Sequence, residues 1–146
     1  MHKRVMDPAD TGRSLMLVLE PLVRFMRRSA ASGDLSPAAS SMLSRLSREG
    51  PQRLTELARA EGVSQPGMTQ LVTRMERDSL VRRTASAGDR RGVVVEATGE
   101  GLELFERRRF ERAQALQHMI DQLDPADQAA LAAALPALTR LVNAGE

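Results

Sequence analysis

Cysteine, tryptophan and tyrosine are absent from this sequence of 146 residues, and phenylalanine occurs only three times. Without cysteine, neither a disulfide framework nor a thiol switch nor a cysteine-ligated metal site can form. Because aromatic residues make up only 2% of the chain, the core must consist of leucine, valine, methionine and alanine, a composition that favours helices. Charged residues interrupt every apolar run before it reaches membrane-spanning length.

Histidine is nearly as scarce, since His2 and His118 are the only two. We place His2 on an N-terminal arm, residues 1–10, and His118 at a surface or interface position of an amphipathic helix. The sequence shows no nucleophile–histidine–acid set, glycine-rich phosphate loop or helix with paired carboxylates. We therefore predict a protein that is not an enzyme and uses no cofactor or metal ion. The N-terminus also lacks the apolar core of a secretory signal, so a cytoplasmic protein without membrane contact is expected.

Positive charge is concentrated in one part of the chain, although the net charge is only +2. Residues 45–91 contain ten basic and six acidic residues, a local net charge of +4, which leaves −2 for the remainder. Such a concentration is typical of a nucleic-acid footprint. All basic residues except Lys3 are arginines, which suits bidentate contacts to phosphate or guanine. A GC-rich genome explains that arginine bias equally well.

The segment 54–79 has the pattern of a helix-turn-helix. A first helix begins at Leu54, Gly62 makes the turn, and Ser64 caps a second helix that carries Pro66 in its first turn. The spacing of the second helix predicts one apolar face and one polar face. The apolar face consists of Met68, Leu71, Val72 and Met75, and the polar face of Gln65, Thr69, Gln70, Thr73, Arg74 and Arg77.

Two short strands, 80–84 and 93–97, are predicted directly after the helix-turn-helix. The eight residues between them are too many for a tight turn and include Arg90 and Arg91. Beside a helix-turn-helix this is the pattern of a wing, whose basic tip would lie along the DNA backbone or in a minor groove. The alternative is a solvated charged loop.

Four further helices are predicted around this segment. They are expected over 11–31, with Pro21 kinking or breaking the helix; over 36–50, with Arg45 and Arg48 facing solvent; from about residue 98 onward; and from Asp124 onward, interrupted by Pro136. The first helix and the last two carry more apolar surface than a winged helix needs for its own cover. We therefore predict that they bury it in a homodimer.

The predicted fold is mainly α, with a small two- or three-stranded β-wing: a winged helix-turn-helix plus a helical dimerisation region. Residues 1–34 are predicted to form an arm and a dimerisation helix, residues 35–100 the DNA-binding domain, and residues 101–146 the C-terminal dimerisation helices. The methionines at helical spacing most simply fill the core.

The order of these elements resembles the MarR family of bacterial winged-helix transcription regulators. The resemblance rests on residues 54–58, on Val63-Ser64, on residues 80–83, on Asp89-Arg90-Arg91 and on residues 97–101. It implies a homodimer with entwined first and last helices, and a wing whose Asp89 and arginines support and make DNA contacts. It departs from the family at Ser79, where glycine is usual, and at the unusual pair Pro66-Gly67. The family's thiol-based and zinc-sensing branches need cysteine or several histidines, which this chain lacks.

The predicted function is that of a regulator, a repressor, that binds double-stranded DNA at a pseudo-palindromic operator. A winged helix used as an unspecific DNA-architectural or protein-interaction module is the alternative, and glutamine and threonine on the polar face favour base reading over it. The residues expected at DNA are Thr55, Ser64, Gln65, Thr69, Gln70, Thr73, Arg74, Arg77, Asp89, Arg90 and Arg91.

Because thiol and zinc sensing are excluded, DNA affinity is predicted to be controlled by a small aromatic or lipophilic anionic effector. It would bind between the helical dimer platform and the winged lobes. With so few aromatic residues its pocket would be aliphatic and methionine-rich, with an arginine for a carboxylate or phenolate. The predicted ligand-binding residues are Met16, Arg24, Met26, Met42 and Arg45. Core filling is the competing interpretation of the three methionines.

Overall fold

Helices dominate the fold, which a computed structural model describes for residues 10–28, 35–85 and 92–145. These segments contain six helices and three short strands in the order predicted for a winged helix-turn-helix, so the predicted fold class is confirmed. The helices are α1 (Thr11–Arg28), α2 (Pro37–Glu49), α3 (Leu54–Ala60), α4 (Gln65–Arg77), α5 (Gly99–Ile120) and α6 (Pro125–Ala144); the strands are β1 (Gln52–Arg53), β2 (Val81–Ala85) and β3 (Val93–Ala97).

The chain forms two compact units, residues 1–110 and residues 111–146. The first unit has a continuous apolar core between α2, the two helices of the helix-turn-helix, the sheet and the start of α5. Methionine and leucine fill this core, as the near absence of aromatic residues requires, and Phe105 is its one aromatic member among the described residues. The fully or almost fully buried side chains are Met42, Leu43, Leu57, Met68, Val72, Val81 and Val95.

The three strands form one antiparallel sheet in the order β1-β3-β2. In the wing hairpin Val81 pairs with Ala97 and Ala85 with Val93, so β2 and β3 are aligned along their whole length. A third strand was allowed for in the predicted wing, but its position, β1, was not predicted. It has only two residues and pairs with Val94 and Val95, and so short a segment shows no alternation of apolar and polar residues.

Helix α2 begins and ends where the sequence predicts. The Ser36 hydroxyl accepts a hydrogen bond from the amide of Ala39 at 3.1 Å, and Pro37 occupies the first turn, where no amide donor is needed. Gly50 ends the helix at a positive φ of 74°. The expectation that Arg45 faces solvent is wrong, because its half-buried guanidinium is paired with Glu61, the residue that follows α3.

Two prolines lie inside helices without ending them. α1 continues through Pro21 to Arg28, and residues 29–34, where the end of this helix was predicted, lie outside the described residues. The prediction that Pro136 interrupts the last helix is wrong, since α6 continues through it to Ala144. Pro136 removes a single amide donor on an exposed helix, where water can satisfy the carbonyl left without a partner.

The terminal helices differ from the core in exposure. Neither α1 nor α6 has a buried residue, and large apolar side chains such as Val18 and Val142 are 64% and 63% exposed. In unit 111–146 the exposed apolar positions of α6 are Leu131, Leu135, Leu138, Leu141 and Val142. Over the described part of the chain, no helix has both the length and the apolar character needed to cross a membrane.

Candidate DNA interface

The second helix of the helix-turn-helix, α4, starts with a side-chain cap. The Ser64 hydroxyl accepts a hydrogen bond from the amide of Gly67 at 3.2 Å, and Pro66 lies within the first turn. A Cβ at position 67 would lie 3.0 Å from both Ser64 Oγ and Val63 Cγ1, which is tighter than ordinary contact. The unusual Pro66-Gly67 pair is therefore compatible with a regular helix start, because glycine leaves room for the cap.

One face of α4 is buried and the other is exposed, as the apolar spacing predicts. Met68, Leu71, Val72 and Met75 pack into the core. The exposed face carries side chains that can donate to or accept from base edges and phosphates. Its exposed members are Gln65, Thr69, Gln70, Arg74 and Arg77.

The polar side chains of this face differ in how much hydrogen-bonding capacity they keep. Gln65 and Gln70 make no side-chain hydrogen bond to another described residue, so both amide groups are available to a partner. The Thr69 hydroxyl donates to the Gln65 carbonyl at 3.0 Å, which leaves an oxygen lone pair and the methyl group exposed. Two glutamines and this threonine therefore form the part of α4 best able to read bases.

Thr73 is the exception on this face, since it is half-buried and its hydroxyl is already occupied. It donates to the Thr69 carbonyl at 2.8 Å and accepts a hydrogen bond from Arg83 of strand β2. Sequence reasoning missed Arg83. The available signal was strand alternation, because neighbouring residues of a strand point to opposite faces, so Arg82 and Arg83 lie on different sides of β2 and only one of them can face α4.

Both helices of the helix-turn-helix end in the same backbone motif. After α3, Gly62 has a φ of 64°, and the amide of Val63 donates to the Ala58 carbonyl at 2.9 Å. After α4, Ser79 has a φ of 60°, and the amide of Leu80 donates to the Met75 carbonyl at 2.9 Å. The departure from glycine at position 79 therefore leaves the turn geometry unchanged but places a side chain in the left-handed region.

The segment 97–101, part of the family resemblance, joins the end of α4 to the start of α5. The Thr98 hydroxyl donates to the Ser79 carbonyl and accepts from the amide of Gly101 at 3.0 Å, while the Thr98 amide donates to the Leu80 carbonyl at 3.0 Å. A Cβ at Gly101 would lie 2.0 Å from the Leu80 carbonyl oxygen. Close backbone packing therefore accounts for this pattern.

The wing is described up to its tip. Arg82 pairs with Glu96 directly across the hairpin. The predicted tip residues Asp89, Arg90 and Arg91 lie outside the described residues, which resume at Gly92. Thr55, also predicted at DNA, is exposed in the first turn of α3.

A charged cluster of Arg45, Glu61, Ser41 and Glu49 joins α2 to the turn of the helix-turn-helix. Arg45 Nε donates to Glu61 Oε1 at 2.9 Å, and the Ser41 hydroxyl donates to Glu61 Oε2 at 2.6 Å. Arg45 also pairs with Glu49 at 3.2 Å. The hydrogen bond with Glu61 is the main reason that the pKa of Arg45 is raised above its usual value. The guanidinium predicted to bind an effector thus connects α2 to the turn of the helix-turn-helix.

A cleft of about 510 Å³ lies between the start of α2, the second half of α4 and the start of α5, all within residues 1–110. Arg74, Arg108 and Asp78 supply its charged groups. Its apolar wall consists of Leu35, Ala39, Leu71, Met75, Leu80 and Leu104. None of the five predicted ligand residues is part of this lining. Met42 is fully buried in the core, while Met16, Arg24 and Met26 are on α1.

Comparisons with known proteins agree with this arrangement. A sequence model of the MarR family matches residues 35–93. The chain is 30% identical over 111 residues to the uncharacterized HTH-type transcriptional regulator YfiV of Bacillus subtilis (strain 168), covering 75% of this chain and 69% of that protein.

Solved structures that share the fold include two with the following similarity. RV1404 from Mycobacterium tuberculosis has a TM-score of 0.79 at 23% identity, covering 95% of this chain and 97% of that one. BpsR of Bordetella bronchiseptica, whose DNA binding is regulated by 6-hydroxynicotinic acid, has a TM-score of 0.62 at 22% identity. The match covers 89% of this chain and 98% of that one.

Proposed function

The chain belongs to the MarR family of transcription regulators, and from this we propose that it binds a specific double-stranded DNA operator and represses transcription there. The observation that carries the proposal is the exposed polar face of α4, on which Gln65 and Gln70 keep their amide groups available and Thr69 an acceptor oxygen. Glutamine can bond adenine in a bidentate manner, and threonine can contact a thymine methyl. Repression follows from occupancy, because a bound operator is closed to other proteins. Such a regulator acts in the cytoplasm and catalyses no reaction.

The test begins by letting the protein select its own duplexes from a random-sequence pool. Affinity for the selected and for a scrambled duplex is then measured over a range of salt concentrations. A specific regulator prefers the selected duplex by at least about a thousandfold. Equal affinity for both duplexes would instead support the alternative, a winged helix that binds DNA without sequence preference.

Base reading and backbone binding are separable within this proposal. Gln70→Ala should relax preference at one base pair, costing about 1–3 kcal/mol there, and leave the other positions unchanged. The wing is expected to bind the DNA backbone or the minor groove through Arg90 and Arg91, with Asp89 supporting these arginines. Removing both arginines should weaken binding to all duplexes alike. It should also reduce the slope of log affinity against log salt concentration by about 0.9 per lost phosphate contact. An unchanged salt slope would overturn the wing assignment.

We propose that the operator is bound by a homodimer. The support is the apolar surface on α1 and α6, where Leu135 is 60% exposed and Val142 63% exposed. Surface of this kind is usually covered by a second subunit. A twofold dimer would bind half-sites about 10 base pairs apart. In this arrangement residues 1–34 and 101–146 serve dimerisation, and residues 35–100 serve DNA binding.

Sedimentation with one variant and a matched control tests the dimer. Leu135→Glu places a charge on the exposed apolar stripe of α6 and should dissociate the dimer or prevent its folding. Ser47→Glu adds the same charge to an exposed position of α2 and should leave the protein a dimer by sedimentation. A folded monomer of the unmodified protein at micromolar concentration would overturn the proposal.

A small organic anion is proposed to release the operator, as 6-hydroxynicotinic acid regulates DNA binding of BpsR. The cleft supports this role, since its apolar wall would cover a ring and Arg74 and Arg108 lie where a carboxylate could be bound. Arg74 is on α4, so an occupant would touch the recognition helix directly. A role of α1, through Met16, Arg24 and Met26, stays a prediction; Met42 has no exposed surface and Arg45 is already paired.

The effector proposal is tested by titrating aromatic and phenolic acids into the protein–operator complex, in parallel with peroxide and zinc. A coupling of about 1–3 kcal/mol would suffice for release, and DNA must weaken the acid's binding by the same factor. Arg108→Gln should reduce this response, whereas Arg107→Gln, at the exposed neighbouring position, should not. Release by zinc with no response to any acid would show that the switch is of another kind.

A further inference from the structure

The two adjacent arginines of strand β2 have different partners. Arg82 is 60% exposed and pairs with Glu96, its direct neighbour across the wing hairpin. Arg83 is 31% exposed and contacts the recognition helix instead. Because successive side chains of a strand lie on opposite faces, this difference follows from the position of β2 beside α4. The pair therefore offers two arginines of equal charge in different environments.

Arg83 binds α4 at two positions one helical turn apart. Its Nη2 donates a hydrogen bond to Thr73 Oγ1, and its Nε lies 3.5 Å from Glu76 Oε1. The backbone amide of Arg83 also donates to Glu76 Oε2 at 3.2 Å. Residues three apart are neighbours on a helix surface, so a planar guanidinium can bind both at once. The strand and the helix are thus connected through one side chain and one backbone group.

The Thr73 hydroxyl is committed by the same contacts. Its one proton goes to the Thr69 carbonyl at 2.8 Å, and one of its lone pairs accepts from Arg83. Reading a base through this hydroxyl would break a charge-assisted hydrogen bond, which is among the stronger kinds. Thr69, one turn earlier, keeps an exposed acceptor, and its side chain makes no hydrogen bond to the described part of the wing.

We infer that Arg83 and Thr73 are positioning residues of the DNA interface: they fix the second half of α4 against the wing, and Thr73 leaves base reading to exposed side chains of α4, Gln65, Thr69 and Gln70 among them. The inference rests on the proposed DNA-binding function. It differs from the expectation that Thr73 contacts DNA, and it assigns Arg83 no phosphate. Sequence preference should therefore depend on the hydrogen bond between Arg83 and Thr73, although neither residue touches a base.

The test uses two conservative variants and measures affinity for a selected and a scrambled duplex at several salt concentrations. Arg83→Lys keeps the charge but loses the planar fork, and Thr73→Val keeps the shape but loses the acceptor. Each should lower the ratio of selected to scrambled affinity about tenfold, because the reading side chains lose their fixed position. Scrambled-duplex affinity and the salt slope should stay as in the unmodified protein.

Three controls separate positioning from other roles. Thr73→Ser keeps the hydroxyl and should retain the ratio, and Arg82→Lys makes the same exchange at the neighbouring arginine and should also retain it. The double variant of Arg83→Lys and Thr73→Val should lose no more than either single variant, since both remove one hydrogen bond. Thermal unfolding of each variant establishes that it is folded at the temperature of the binding assay.

The opposite results are equally clear. Full retention of the ratio in Arg83→Lys, or additive losses in the double variant, would overturn the inference and leave the proposed function standing. If Arg83→Ala reduces the steepness of log affinity against log salt concentration by about 0.9, Arg83 contacts a phosphate and is not a positioning residue. If the unmodified protein prefers no duplex over a scrambled one, the proposed function fails, and the inference fails with it.

Discussion

The winged-helix region and the terminal helices bury their apolar residues to very different extents. Between Leu35 and Phe105 the apolar side chains converge on one core, with Leu43 and Leu57 fully buried. Helix α6 has a comparable share of leucine, yet its Leu135 and Leu141 are 60% and 59% exposed. The first region thus stabilises itself within one chain. The second leaves its apolar residues exposed, and the proposed dimer would cover them.

A core variant is the strongest way to examine this difference. Leu57→Ala should destabilise the protein by about 2–5 kcal/mol, because it removes buried contacts and leaves a cavity. Leu135→Ala removes the same atoms from an exposed site, so its cost should appear only where a second chain covers α6 and should change with protein concentration. Chemical denaturation at two protein concentrations measures both. A concentration-independent loss at position 135 as large as that at position 57 would contradict the comparison.

The start of α5 provides a second test, because two of its glycines differ in environment. Gly101→Ala should cost about 1–3 kcal/mol, since the new Cβ would overlap the Leu80 carbonyl oxygen. Gly99→Ala is the matched control: a Cβ there meets no atom within 4 Å, so this variant should be neutral or slightly stabilising. Thermal denaturation of the two variants decides the point. Equal melting temperatures would mean that the close packing at position 101 is not maintained in solution.

The charged cluster around Glu61 tests how the helix-turn-helix is held to α2. Glu61→Gln should destabilise by about 1 kcal/mol, as it weakens the bonds from Arg45 and Ser41 while the side chains remain partly solvated. Glu56→Gln, at an exposed site on α3, the helix that Glu61 follows, should have a smaller effect. Urea denaturation at low and high salt measures both variants, and the effect at position 61 should shrink in high salt.

The smallest expected effect has the opposite sign. Ser79→Gly should stabilise the protein by about 0.5–1 kcal/mol, because glycine removes the cost of a left-handed residue but adds freedom to the unfolded chain. The reciprocal exchange, Gly62→Ser, introduces that cost at the equivalent turn and should destabilise by about the same amount. Denaturation of both variants under one condition is sufficient. Changes of the same sign would show that the two turns are not equivalent.

Sequence reasoning predicted those features that local residues determine. The caps at Ser36, Ser64 and Asp124 and the wing strands were predicted because each depends on residues a few positions apart. The pairing of Arg45 with Glu61 spans 16 residues and depends on how two helices pack, which no local pattern contains. Pro136 was misjudged because a proline is costly in a helix on average, whereas an exposed helix can tolerate one.

The candidate site was predictable to the same extent. The polar face of α4 follows from helical spacing, and Gln65, Thr69 and Gln70 are exposed as that spacing requires. That Thr73 would be bound by Arg83 could not be read from the sequence, because it depends on the packing of a strand against a helix. The cleft was missed for a similar reason, since it brings together residues from 35 to 108.

The junction at Ser79 and Leu80 has a mechanical consequence. The Ser79 and Leu80 amides donate to carbonyls of α4, their carbonyls accept from Thr98, and Gly101 of α5 lies close to Leu80. Strand β2 begins directly after these two residues. Because these contacts join the first turn of α5 directly to the end of α4, we expect a rotation of that turn to be transmitted to α4. For the DNA binding proposed above, this junction would therefore couple the position of α5 to that of α4.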